Sequence, residues 1–412
     1  MKKNWKKVLL GGLVLSMSML VLAGCGSSKS SSSSDSTNST QNLKVWIDTE
    51  HVAAIKSQVK KFEKDNPKVH VTVKSGSSAD ALKDVSKDPE KAADVFMMPH
   101  DQIGQMADAG LLYPVSKKYT NNVKNNNVDS AVDGVTWKGK VYGFPYGVES
   151  QVLYYNKSTY SADDVKTWDS LTSKGKLGTN FGEAGANYIF TPLFMSNGDV
   201  LYGKDGETVK GTNFNNDKGI QVLDWIAKQK DNTGVVQTSA AALSNLQSGK
   251  TDAFLSGPWS KNDVKKALGK NMAVAAYPTV DFGNGATQMK AFLGVKVYGV
   301  NQQTKSPVAA MKLANFLSSE ATQKVEFEKN GVVPSNTKAQ GLQEVKDDEI
   351  AKAVMTMSAT DHSVVMPKVP EITNFWPQMD SLINDTYKGK IKSSDYQTKL
   401  DKVVSVASKK SK

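Results

Sequence analysis

Leu43, Val45 and Ile47 alternate with Lys44, Trp46 and Asp48, the two-residue period of a strand with unlike faces. The period then lengthens. Val52, Ile55, Val59 and Phe62 recur at helical spacing with lysines between them, and Asn66 and Pro67 stop the helix. Val69, Val71 and Val73 return to alternation. A strand, an amphipathic helix and a strand within about 32 residues predict a right-handed βαβ unit on a parallel sheet. Residues 94–99 read as a third, buried strand, and 101–110 as a helix with Ile103 and Met106 inward and Gly110 just past its end.

From Trp137 to Lys157 the chain is rich in aromatics and glycines, and the apolar run 152–155 follows, so strands are expected to cross here between two lobes. Helices are predicted over 219–230, 239–248, 306–316, 321–329 and 396–406, a strand over 291–300, and a turn over 281–285. Strand and helix alternating on both sides of such crossings predict an α/β protein of two lobes with a ligand cleft between them. The division expected is 43–147 with 294–340 as the N-lobe and 148–293 with 341–412 as the C-lobe.

The N-terminus breaks this pattern. Residues 1–7 are basic, 8–22 are apolar apart from glycines and serines, and Leu22, Ala23 and Gly24 precede Cys25. Residues 1–24 thus read as a signal peptide, the apolar stretch being shorter than the roughly 20 residues of a spanning helix. Small residues before a lone cysteine resemble a bacterial lipobox, which implies cleavage after Gly24 and lipidation of Cys25. Residues 25–42, rich in serine, are expected to be a leash that cannot bury enough apolar surface to fold. The expected location is the outer face of the cell membrane, with the lipid at Cys25 as the anchor.

Composition narrows the chemistry. The 412 residues carry a formal charge of +11, about +7 once Lys2, Lys3, Lys6 and Lys7 leave with the signal peptide. Every cation is lysine, and the absence of arginine removes the planar fork that reads phosphates and guanine edges, so nucleic acid is not an expected partner. Cys25 is the one cysteine, so no internal disulfide forms, and His51, His70, His100 and His362 show no paired metal-ligand spacing. No metal and no cofactor are expected, and a monomer is.

In an open α/β sheet, ligands gather beyond the carboxyl ends of the strands. Those ends carry Asp48, Thr49, Glu50 and His51; Pro99, His100, Asp101 and Gln102; and Gly147, Val148, Glu149 and Ser150. Each presents a carboxylate. A neutral sugar wants ionised acceptors for its hydroxyls and flat rings for its C–H faces, and Tyr188, Trp259 and Trp376 supply candidate rings. Each assignment has a structural rival: Asp101 and Glu50 as caps of the helices they open, the three rings as core or loop residues, and His51 as a surface histidine. Trp46, Trp137, Trp168 and Trp225 fit core or hinge packing.

At these positions a family resemblance enters. Val45, Trp46 and Ile47 with Lys60, Lys61, Phe62, Glu63, Lys64 and Asp65, then Pro99, His100 and Asp101 with Ala109, Gly110, Leu111 and Leu112, resemble the bacterial extracellular solute-binding proteins of family 1 that bind maltose and maltodextrins. So do Val148 and Glu149 with Tyr155, Asn156 and Lys157, the Gly257, Pro258, Trp259 loop, and Met366 and Pro367 through Pro370 to Phe375 and Trp376. The resemblance is collinear from about Leu43 to the C-terminus.

It implies a two-lobed periplasmic-binding-protein type II fold that closes on α-1,4-glucans and delivers them to the permease subunits of an ABC importer, with no enzymatic activity. It also implies that Glu50, Asp101 and Glu149 accept sugar hydroxyls while Tyr188, Trp259 and Trp376 stack on glucose rings. Three further positions of the family's site fall on His51, Met98 and Gln102, in place of a lysine, a tryptophan and an arginine. The alternatives are a secreted glycosidase, which needs two carboxyls flanking one bond, a binding protein for another oligosaccharide, and a surface adhesin.

Overall fold

The computed structural model describes residues 40–183, 185–238 and 242–410. The expected signal peptide, Cys25 and most of the leash lie outside the described residues. From Thr40 the chain forms one unit built on two sheets.

In the first sheet, Leu43, Val45 and Ile47 of β1 (Gln41–Asp48) are fully buried, as their alternation requires. The helix Val52–Asp65 lays Ile55, Val59 and Phe62 inward, and Asn66 ends it by donating its side-chain amide to the Phe62 carbonyl at 2.7 Å. β2 (Val69–Gly76) and β3 (Val95–Pro99) then pair with β1 in parallel, Val45 opposite both Val73 and Val95. The helix expected over 101–110 is split, a 3-10 turn at His100–Gln102 leading into Ile103–Asp108, with Gly110 at φ +67° as expected of a helix stop. A small hairpin, β4 (Thr136–Trp137) and β5 (Lys140–Val141), precedes β6 (Phe144–Ser150).

β6 is the crossing. It ends at Ser150, one residue intervenes, and β7 (Val152–Asn156) begins the second sheet. The intervening Gln151 is buried and its Oε1 accepts a hydrogen bond from the Tyr277 hydroxyl at 2.9 Å. The second sheet has the order β11-β7-β10-β8-β9, comprising β8 (Leu177–Thr179), β9 (Val235–Gln237), β10 (Ala253–Ser256) and β11 (Met272–Ala275). Its core is aromatic: Phe181 stacks on Phe190 with centroids 3.7 Å apart, and Trp168 and Trp225 close around them. Trp137, Trp168 and Trp225 are buried as expected, and Trp46 is half-buried.

The turn read over 281–285 joins β12 (Thr279–Asp281) to β13 (Ala286–Gln288), with Asp281 accepting the amides of Gly283 and Gly285. β14 (Ala291–Val300) then returns to the first sheet. β14 runs antiparallel to β3 and β6 and parallel to β15 (Ser363–Val365), so the sheet is mixed where the βαβ pattern alone predicts a parallel one. Pairing keeps all of β6 and β14, and β15, in the first sheet; the divisions expected at 147/148 and 293/294 cut through continuous strands.

Two helix boundaries differ for local reasons. The helix expected over 219–230 begins at Asp217 because Asn216 caps it, accepting from the Lys218 and Gly219 amides, and it ends at Lys228. The helix Ile372–Tyr387 was absent from the sequence reading, since it contains Pro377 and Pro370 precedes it. Of the helix expected over 239–248, the described part is Ala242–Gln247. No described helix is long and apolar enough to cross a membrane.

Candidate functional site

The strand tips place the acids. At the end of β1, Asp48 accepts the Ser78 amide at 2.6 Å, and a 3-10 turn follows, Thr49–His51, from which the Glu50 side chain projects 70 % exposed. Glu50 makes no capping bond. His51 is not a surface histidine: it is buried, Nδ1 pairs with the buried Glu326 carboxylate, and Asn330 joins the same group at 3.0 Å from Glu326. A partner 275 residues away in sequence draws the ring inward.

At the end of β3, His100 holds the next acid in place. The Val295 amide donates to His100 Nδ1 at 3.0 Å, which leaves Nε2 to donate to the Met366 carbonyl at 3.0 Å. Burial, reinforced by the nearby Lys368 cation, pushes this imidazole down to about 3, so it is a neutral bridge between β3, β14 and the segment after β15. Asp101 follows it. Asp101 makes no side-chain cap bond, and its Oδ1 is buried without a hydrogen-bond partner. Burial raises its carboxyl, backbone amides of Asp101 and Gln102 oppose the rise, and the Glu149 charge adds to it.

β14 places the third acid. Gly294 stands opposite Glu149, and a Cβ there would lie 2.9 Å from Glu149 Cγ, so the glycine leaves the room in which the Glu149 side chain rests. Two residues on, Lys296 forms an ion pair with Glu149 at 2.9 Å, both side chains about one-third exposed. Lys296 and Gly294 are the two positions of β14 that are not buried. Neither was read as functional from sequence, although a glycine and a lysine two apart in an otherwise apolar strand mark one open face.

Two rings share one platform. Phe292 of β14 is fully buried, and Tyr188 and Trp376 pack on it with centroids 5.8 and 5.5 Å away. Their helices are tied together: Asp380, one turn after Trp376, accepts the amides of Gly185 and Asn187, and Asn187 donates its side chain to the Trp376 carbonyl at 3.0 Å. Both rings are half-buried. The Tyr188 hydroxyl is raised by burial first and then by the charges of Glu149 and Asp101. Phe292, the floor of the platform, was not recognised from sequence.

Trp259 stands apart, at the carboxyl end of β10. It is 58 % exposed, and its ring lies over Gly257, where a Cβ would come within 2.2 Å of it. Among the described residues no ring contact joins Trp259 to Tyr188 or Trp376. Met98 and Gln102 are not presented to a ligand. Met98 is 1 % exposed with its sulfur against Gly299, because β3 is covered on both faces. Gln102 is engaged by the neighbouring helix start, accepting from the Leu82 amide at 2.9 Å and donating to the Ala79 carbonyl at 2.7 Å.

A cavity of about 680 Å³ lies elsewhere, lined by Asp133, Asp199, Glu207, Lys290 and Lys368 among others. It includes none of the predicted site residues and no aromatic ring, so it offers no surface on which a sugar face can stack. The site built on Asp101, Glu149, Lys296, Tyr188 and Trp376 combines charged hydrogen-bonding groups with flat apolar surfaces.

The comparisons agree with this architecture. Residues 57–353 match the model of the bacterial extracellular solute-binding protein family. A maltooligosaccharide ABC transporter solute-binding lipoprotein of Streptococcus pneumoniae is 28% identical over 91% of this chain and 91% of its own length. A galactooligosaccharide-binding protein of Bacillus subtilis is 29% identical over 94% of this chain and 93% of its own. The solved structure of a maltodextrin binding protein from L. casei BL23, without ligand, is 47% identical and superposes with a TM-score of 0.88 over 90% of this chain and 100% of that one. The two-sheet architecture is therefore the two-lobed periplasmic-binding-protein fold, and the chain belongs to the bacterial extracellular solute-binding proteins.

Proposed function

We propose that this protein captures maltodextrins outside the cell and delivers them to an ABC importer, acting as a monomer held at the membrane through a lipid on Cys25. The observation that carries the reading is the platform that Phe292 makes for Tyr188 and Trp376, with the charges of Glu149 and Asp101 acting on the Tyr188 hydroxyl. In this reading Glu50, Asp101 and Glu149 accept glucan hydroxyls, each charge-assisted bond contributing about 1.5 to 3 kcal/mol. Lys296 orients Glu149 and donates to hydroxyl oxygens. Tyr188 and Trp376 stack on successive glucose rings, and Trp259 covers the glucan from the other lobe. The similarity to a maltodextrin-binding protein at 47% identity supports an α-glucan, while the galactooligosaccharide-binding relative favours keeping a β-linked galactoside as the second reading.

Calorimetry with maltotriose and with a galactotriose separates the two. One saturable site for maltotriose, weakened at least tenfold by Trp376→Ala, is expected. Tight binding of the galactoside alone contradicts the α-glucan assignment. No new reducing ends are expected on prolonged incubation with dextrin, and their appearance replaces capture with hydrolysis.

A further inference from the structure

His51 is unusual among the site residues in being oriented from behind. Its Nδ1 faces Glu326, a carboxylate with no solvent exposure that also accepts from Asn330, so the ring is fixed in plane and tautomer by a buried acid. With Nδ1 donating, Nε2 of the neutral ring carries a lone pair. Nε2 has no hydrogen-bond partner among the described residues. It lies 3.9 Å from Glu50 Oε1. One ligand atom each from His51, Glu50 and Asp48 lie within 4.8 Å of one another.

A carboxylate bonded to one nitrogen of a histidine whose other nitrogen faces a second carboxylate, with a third in the same cluster, is an arrangement by which proteins orient a metal ligand. We propose that Asp48, Glu50 and His51 form a site for a divalent d-block cation of the zinc class at the edge of the cleft, with Glu326 as the positioning residue. One imidazole and two carboxylates match the ligand preference of zinc, and three protein ligands leave a fourth position open. Donors about 2.0 to 2.2 Å from such an ion stand roughly 3.3 Å apart. The cluster therefore contracts on binding, and the exposed Glu50 side chain is the part free to move.

No two histidines are suitably spaced for a metal; here the histidine is partnered by acids beside it in the chain and by a helix far along it. Resting on the proposed function, a second consequence follows. Glu50 cannot ligate the ion and accept a glucan hydroxyl with the same oxygens, so metal and glucan compete.

The test is calorimetry of the full chain with ZnCl2 in chelator-free buffer without sugar, checked by the visible absorption of Co2+ at the same site. One saturable ion per chain is expected. Binding should be lost in His51→Gln, and it should be 10- to 100-fold weaker in Glu326→Gln, the usual effect of losing an orienting partner. Should Glu326→Gln fail to fold, Glu50→Gln, a change at an exposed side chain, is expected to weaken the ion as well. Absence of binding, or equal binding in His51→Gln and Glu50→Gln, overturns the site. Saturating Zn2+ should raise the apparent Kd for maltotriose at least tenfold, and an unchanged Kd overturns the competition. If maltotriose does not bind even without zinc, the glucan reading fails while the zinc titration still decides the metal site.

Discussion

His100 shows how one side chain joins three segments at the cost of pH sensitivity. Folded, the ring is neutral, accepting from the Val295 amide and donating to the Met366 carbonyl, with its proton affinity pushed down to about 3 by burial first and Lys368 second. Unfolded, an imidazole titrates near 6.5. Between these values the unfolded chain binds a proton that the folded one refuses, so stability is full above about 6.5 and falls as the pH is lowered toward 3. The loss amounts to roughly 1.4 kcal/mol per pH unit within that window. Thermal unfolding between pH 7 and pH 5 should thus show a falling Tm, with a shallower fall in His100→Gln. Equal slopes in both proteins contradict the role given to His100.

The residue scale also shows what sequence conveys and what it withholds. The positions of Asp101 and Glu149 were legible because each lies at the end of a run read as a strand, and a strand end fixes where its acid stands. The burial of His51 was not legible because its environment is made by Glu326 and Asn330, whose helix reaches it only through the fold. Lys296 escaped notice because a polar residue in an otherwise apolar strand reads as ordinary alternation.

Among elements, β14 does most to assemble the site. It carries Phe292 under the two rings, Gly294 under Glu149, Val295 against His100 and Lys296 beside Glu149. Its open face therefore controls the acid at the end of β6. Gly294→Ala should displace the Glu149 side chain, since the new methyl would stand 2.9 Å from Cγ, and should do so without disturbing the paired backbones. Loss of one charge-assisted bond predicts about 10- to 100-fold weaker maltotriose binding with little change in Tm. Unchanged affinity by calorimetry counts against Glu149 as a glucan ligand. The range of β14 was legible from its apolar run; its antiparallel direction was not, because direction depends on where the chain enters the sheet. The helix Ile372–Tyr387 was hidden by Pro377, although Trp376 one residue earlier had been singled out for its chemistry.

At the scale of the whole molecule, two sheets are joined where β6 passes into β7 through Gln151 and where the chain leaves β11 and returns through the β12–β13 hairpin to β14. Short crossings of this kind let two halves turn while each keeps its own hydrogen bonds. A glucan touching acids at the strand ends of the first sheet and Trp259 at the end of β10 in the second would favour the closed arrangement by its differential contacts. Moving such an equilibrium from about 1:99 to 99:1 takes roughly 5.5 kcal/mol, within reach of a few charge-assisted hydrogen bonds and two stacked rings. The two-lobed plan was legible from the alternation of strand and helix around 137–157, whereas the exact strand membership of each lobe awaited the pairing of β6 and β14. Small-angle X-ray scattering with and without saturating maltotriose tests this most directly: the account predicts a smaller radius of gyration in the sugar-bound protein, and an identical radius in the two states, with binding independently verified, would contradict it.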